Sequence, residues 1–133
     1  MMERGYIHVY TGNGKGKTTA ALGMSLRCIC AGKQVFFGQF IKDWSYSELK
    51  AGEFLPDFEI VQFGRGCFIS RDPTEEDRRA ACEGLIRCSQ ALQSGEYDLV
   101  VLDEVNVALY YDLFGVADVI DILERRDPRT EVV

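Results

Sequence analysis

Residues 11 to 19 read Thr-Gly-Asn-Gly-Lys-Gly-Lys-Thr-Thr, directly after the strand-like run Tyr6-Ile7-His8-Val9-Tyr10. Gly12, Gly14 and Gly16 allow a backbone path that side chains would block. Such a loop turns successive N–H groups toward one anion. Lys17 can reach a phosphate as a point charge, and the Thr18 hydroxyl can face a Mg²⁺ ion. A helix beginning near Lys17 aims the positive end of its dipole at the same place. The chemistry implied is that of a nucleotide phosphate.

The string is a modified Walker A pattern. That pattern wants a glycine five positions before Gly16, where Thr11 stands, and Gly12 is expected to supply the turn instead. Lys15 is a second cation that the ordinary pattern does not require. The alternative is a solvated Gly/Lys-rich turn, and strand, loop and helix context all argue against it.

A second cluster completes the pattern. Tyr97-Asp98-Leu99-Val100-Val101-Leu102-Asp103-Glu104 is an apolar run ending in two acids. A strand buried on both faces reads this way, and its carboxyl end opens into the crevice where open α/β sheets bind ligands. Asp103 there is expected to hold Mg²⁺, or a water bound to it, opposite Thr18. Glu104 is a further candidate for the metal or for polarising water. An acidic turn at a strand end is the plain alternative. Asn106 and Tyr110 follow on the next segment as candidate contacts for the nucleotide or a second substrate, with a helix-capping role the alternative for Asn106.

The elements that must position these groups alternate strand and helix. This predicts an α/β fold, three layers deep, with a mostly parallel sheet and helices on both faces. The expected strands are Tyr6 to Thr11, Gln34 to Ile41, Phe58 to Phe63 and Tyr97 to Asp103. The expected helices are Lys17 to Ala31 (ended by Gly32), a short one over Tyr46 to Glu53, a long one from Pro73-Thr74-Glu75-Glu76 to Ser94 (closed by Gly95), and one over Gly115 to Arg125. Thr130-Glu131-Val132-Val133 reads as the opening of a fifth strand, and the C-terminal strand region is expected to be incomplete.

With 133 residues the chain is read as one domain, 1–133. Its 15 basic and 21 acidic residues give a net charge of −6, which argues against broad nucleic-acid binding. The five cysteines form no Cys-x-x-Cys, and His8, the lone histidine, is read in a buried strand, so a zinc site is not expected. Cys28, Cys30, Cys82 and Cys88 are read as small packing residues on helices. Reduced thiols, no apolar leader and no membrane-length apolar run lead to the expectation of a cytoplasmic protein.

The residues also carry a family resemblance over nearly the whole chain. Gly12-Asn13-Gly14-Lys15-Gly16-Lys17-Thr18-Thr19-Ala20-Ala21 resembles the modified P-loop of the ATP:corrinoid adenosyltransferases. Gln39-Phe40-Ile41-Lys42 resembles that family's second-strand motif, and Ser47-Glu48-Leu49-Lys50 the segment after it. Ser94-Gly95-Glu96-Tyr97-Asp98 leads into Asp103-Glu104-Val105-Asn106 as in the family. The resemblance implies transfer of the 5′-deoxyadenosyl group of ATP to a cob(I) corrinoid, with release of triphosphate. It implies ATP bound in reverse orientation, exposing C5′, with Mg²⁺ or Mn²⁺ as the ion. It implies Gly12 to Thr19 and Asn106 as binding residues, Lys15, Lys17 and Thr18 as catalytic, and Thr18, Asp103 and Glu104 at the metal. The partners it implies are a homodimer and an electron-donating reductase such as a flavodoxin.

The chain departs from the family pattern in three places. Cys67 and Ile69 stand where an aromatic pair is common after Gly64-Arg65-Gly66. Phe68 could substitute, the corrinoid could lack its lower ligand, or Phe68 and Ile69 could simply pack. Asp43-Trp44 follows Lys42 where glycine is commoner, and Trp44 could line a corrinoid or cover the sheet. The family's motifs beyond the fifth strand do not occur. Two other readings of the same residues are a small P-loop kinase or NTPase, which would yield ADP, and a nucleotide- or corrinoid-binding relative without turnover.

Overall fold

The computed structural model describes residues 4–41, 47–64 and 72–133. The Lys42-Asp43-Trp44 and Cys67-Phe68-Ile69 segments singled out above lie outside these residues. Among the described residues the sheet has four parallel strands: β1 (Val35–Phe40), β2 (Phe58–Phe63), β3 (Leu99–Asp103) and β4 (Glu131–Val132), in the order β2-β1-β3-β4. The parallel sheet carries out the α/β expectation. β1 and β3 are buried along their whole length, which is why both read as nearly continuous apolar runs.

Helices cover both faces. Helix α1 (Lys17–Cys30) packs Ala21, Leu22 and Met24 against Val35, Phe37, Leu99 and Val101. On the other face α3 (Glu75–Ser94) and α5 (Val116–Glu124) close over Phe36, Phe40, Val100 and Leu102 with Leu85, Leu92, Val119 and Ile122. The short expected helix is a 3₁₀ turn, Ser47–Lys50, running into α2 (Ala51–Phe54). Helix α3 starts at a capping box: the Asp77 N–H donates to Thr74 Oγ1 at 3.3 Å, and the Thr74 N–H donates to Asp77 Oδ2 at 2.7 Å. Gly95, at φ 73°, ends it. Helix α3 can approach the sheet because position 84 has no side chain: a Cβ on Gly84 would lie 2.4 Å from Phe63 Cγ.

Three expectations need correction. The first strand is reduced to one parallel bridge, Ile7 to Val132, flanked by His8 N–H to Val132 O at 2.8 Å and Val132 N–H to Tyr6 O at 2.9 Å. His8 is exposed there rather than buried, because this segment lies outermost among the described strands. Its Nε2 contacts Glu131 Oε1 at 2.5 Å. Cys30 and Cys82 are exposed, so of the four helix cysteines only Cys88 is fully packed, with Cys28 half-buried. Helix α4 (Val105–Tyr110) was not anticipated as an element.

Candidate functional site

The phosphate-type loop takes the course its glycines allow. Gly12 has φ 141° and Gly16 φ 112°, conformations that L side chains rarely adopt. Gly12 therefore supplies the turn that Thr11 cannot. The first intrahelical bond of α1 runs from the Ala20 N–H to Gly16 O at 2.8 Å. The N–H groups of Lys17, Thr18 and Thr19 come before it and have no acceptor within the helix. The first turn of α1 holds no acid, whereas that of α3 holds Glu75, Glu76 and Asp77. The chain thus meets the positive end of α3 with acids of that helix's own first turn, whereas α1 has none in its own.

Lys17 folds back over the loop, its ammonium donating to Gly12 O at 2.7 Å and Gly14 O at 2.6 Å. This holds the charge inside the curve of the loop. Asn13, Lys15 and Thr19 are exposed.

Strand β3 brings its carboxyl end to the same point. Thr18 Oγ1 donates to Asp103 Oδ1 at 3.0 Å and Oδ2 at 3.1 Å. Asp103 is buried and Thr18 partly so. A hydroxyl and a carboxylate meeting beneath a phosphate-type loop are hard oxygen donors of the kind Mg²⁺ takes. Glu104, next along, is half-buried, with φ 65° as the N-cap of α4. Left-handed backbone at a non-glycine residue is uncommon, and such strain concentrates at functional sites. Asn106 lies inside α4, second in the helix, so it is not the cap.

A cavity of about 400 Å³ opens beside the loop, its lining including Tyr10, Thr11, Lys17, Asp103, Asn106 and Tyr110. Tyr110 is 80% exposed. Lys15 does not line this cavity, whereas Lys17, Gly12, Asp103, Glu104 and Asn106 do.

The structure adds residues that the sequence did not single out as chemistry. Gln39, fully buried on β1, donates from Nε2 to Asp103 Oδ2 at 3.3 Å. Gln62 on β2 donates in turn to Gln39 Oε1 at 3.2 Å. Gln39 pairs in register with both Gln62 and Asp103. The available signal was parity: Gln39 shares a face with Val35 and Phe37 as Asp103 does with Leu99 and Val101, each two residues beyond an apolar pair.

A family model described as ATP:corrinoid adenosyltransferase BtuR/CobO/CobP matches residues 3–133. The chain is similar to the corrinoid adenosyltransferase of Escherichia coli strain K12, with 35% identity over 136 residues that cover 98% of this chain and 67% of that protein. It is similar to corrinoid adenosyltransferase CobA of Salmonella typhimurium strain LT2, with 36% identity over 136 residues and the same 98% and 67% coverage. The corrinoid adenosyltransferase of Pseudomonas aeruginosa PAO1 is 31% identical over 133 residues, covering 98% of this chain and 66% of that protein. The chain thus spans about two thirds of the length of these relatives. With the loop, the β3 carboxylate and the parallel sheet in their places, the chain belongs to the ATP:corrinoid adenosyltransferase family.

Proposed function

We propose that this chain transfers the 5′-deoxyadenosyl group of ATP to the cobalt of a reduced corrinoid, cob(I)alamin or cob(I)yrinic acid a,c-diamide, and releases triphosphate. The single observation that supports it best is the junction of Thr18 with Asp103 beneath the Lys17 loop. The cob(I) centre is a strong nucleophile and needs no protein base. It attacks C5′; the C5′–oxygen bond breaks, and its electron pair leaves on the triphosphate. The protein's tasks are to hold C5′ in line and to stabilise charge on the leaving group.

In this reading the Gly12 to Thr19 backbone cradles the phosphates, and Lys17 moves from its two carbonyls to a phosphate oxygen. Lys15, on the exposed side, adds a positive field at the rim. Thr18 and Asp103, with Glu104 adjacent, would hold Mg²⁺ or Mn²⁺, which supplies charge neutralisation at the phosphates. Asn106 and Tyr110 line the cavity where the nucleoside lies, a space within the usual range for small-molecule sites. The reading carries a cytoplasmic location, a homodimer and an electron-donating reductase such as a flavodoxin. Among the described residues no helix is long and apolar enough to cross a membrane. Phosphorus NMR of a reaction with ATP and reduced corrinoid tests the proposal: triphosphate supports it, and ADP with phosphate would overturn it in favour of a kinase or NTPase.

A further inference from the structure

Three adjacent strands carry a polar row at one level of a face to which they otherwise contribute apolar residues. On the α1 side of the sheet, Val35, Phe37, Phe58, Leu99 and Val101 form a buried apolar cluster. One step toward the carboxyl end, the same face presents Gln62, Gln39 and Asp103 in direct register on β2, β1 and β3. A buried amide is costly unless hydrogen-bonded. Here the row is joined end to end: Gln62 Nε2 to Gln39 Oε1 at 3.2 Å, Gln39 Nε2 to Asp103 Oδ2 at 3.3 Å, and Thr18 Oγ1 to Asp103 at 3.0 Å.

The direction of this chain is set by chemistry. An ionised carboxylate only accepts, so Gln39 must turn its NH₂ group to Asp103. Its carbonyl oxygen then faces β2, and Gln62 must present its own NH₂ group there. Asp103 thus anchors the Gln39 amide through its NH₂ group and Gln62 through its carbonyl oxygen, and without the Gln62 donor one of these two anchors is lost.

We infer that Gln39 is a positioning residue for Asp103 and that Gln62 acts through it by fixing the orientation of the Gln39 amide. This rests on the proposed function, in which Asp103 serves the metal ion with ATP. When Thr18 turns its hydroxyl from Asp103 to the ion, the carboxylate loses one of its holds. Gln39 keeps Oδ2 engaged from below, so the carboxylate stays aimed at the loop. Partners of this kind behind a metal-binding carboxylate typically change metal affinity by 10–100-fold when removed.

The test compares the wild-type chain with Gln39→Met, Gln62→Met and the double variant. Methionine keeps length and removes the amide. Mn²⁺ binding in the presence of ATP is read by electron paramagnetic resonance, alongside the Mg²⁺ concentration giving half-maximal adenosyl transfer and the thermal melting of each protein. The expected result is an apparent Mn²⁺ affinity about 10-fold weaker in Gln39→Met, a smaller loss in Gln62→Met, and a double variant no worse than Gln39→Met alone. Excess Mg²⁺ should restore most of the lost rate.

Variants that melt lower but keep wild-type Mn²⁺ affinity would overturn the inference, leaving the row a structural network only. Additive losses in the double variant would overturn the part assigned to Gln62. Should Gln39→Met fail to fold, Gln62→Met, on a half-buried position, decides alone: unchanged Mn²⁺ affinity there contradicts the inference. A wild-type chain that binds no Mn²⁺ with ATP would overturn the metal role of Asp103 itself, a failure distinguishable because it appears before any variant is made.

Discussion

The Thr18 hydroxyl donates to both carboxylate oxygens of Asp103, at 3.0 and 3.1 Å, across 85 positions of sequence. One residue lies in the first turn of α1 and the other closes β3, so this contact joins the glycine-rich loop and its helix to the sheet. The Lys17 ammonium lies in the adjoining loop, against Gly12 O and Gly14 O.

Removal of the Lys17 ammonium should therefore cost more than removal of its neighbour. Lys17→Met is expected to lower the adenosyl-transfer rate by at least about 100-fold, the scale of losing one preorganised donor to developing charge. Lys15→Met, outside the cavity lining, should cost much less. Rates measured at saturating ATP check this order, and an equal or larger loss from Lys15→Met would contradict it.

Thr18→Ala and Asp103→Asn should both weaken metal dependence. Each removes one of the paired oxygen donors, and a rate loss on the order of 100-fold at ordinary Mg²⁺ is expected. Raising Mg²⁺ should recover part of the loss. A variant with wild-type half-saturation for Mg²⁺ would remove its residue from the metal's surroundings.

Gly84→Ala should destabilise the fold even though alanine favours a helix by about 1 kcal/mol. The new Cβ would stand 2.4 Å from Phe63 Cγ and 2.6 Å from Phe63 Cβ, atoms at the root of the ring that cannot swing aside. Overpacking of this kind costs about 1–3 kcal/mol, so the net change is a loss. A lower midpoint in urea unfolding is expected, and a higher one would show that α3 can lift off the sheet freely.

Asp112 holds φ 54° just after α4, where its N–H donates to Leu109 O at 3.1 Å. Asp112→Gly relieves the left-handed strain while adding unfolded-state freedom, for a net gain of about 0.5 kcal/mol. Thermal melting should shift up slightly. A clear downward shift would mean that the Asp112 side chain stabilises the turn.

Stability should fall at alkaline pH. Burial pushes the Cys88 thiol far above its ordinary 9.0. Burial, and then the hydrogen bond to Glu59, raise the Tyr97 hydroxyl above 10.0. The unfolded chain gives up these protons first, so their contribution is complete below about pH 9 and is lost as pH rises toward the folded-state values. Urea midpoints under reducing conditions should decline from pH 8.5 to 10.5, and Cys88→Ala should flatten the decline. A midpoint that holds constant would contradict this.

Elements defined by local chemistry were legible. The Gly-rich loop with its helix, the Thr74 start and Gly95 stop of α3, and the apolar β3 all declare themselves within a few residues. Helix α4 was not legible, because the turn into it is made by Glu104 at φ 65° with no glycine to mark it. His8 was misread because burial of the first segment depends on what flanks it, and the described residues flank it on one side, at β4. The Gln62-Gln39-Asp103 row depends on the register of β2, β1 and β3, which no local pattern states. The alternative readings of Trp44 and of Cys67 to Ile69 lie outside the described residues.

The most direct measurement is anaerobic incubation of the chain with Mg-ATP and chemically reduced cob(I)alamin, followed by absorbance and then by exposure to light. The account predicts a cobalt–carbon absorbance that light abolishes, with triphosphate formed in equal amount and both lost in Lys17→Met. ATP turnover to ADP with no light-sensitive corrinoid would contradict it.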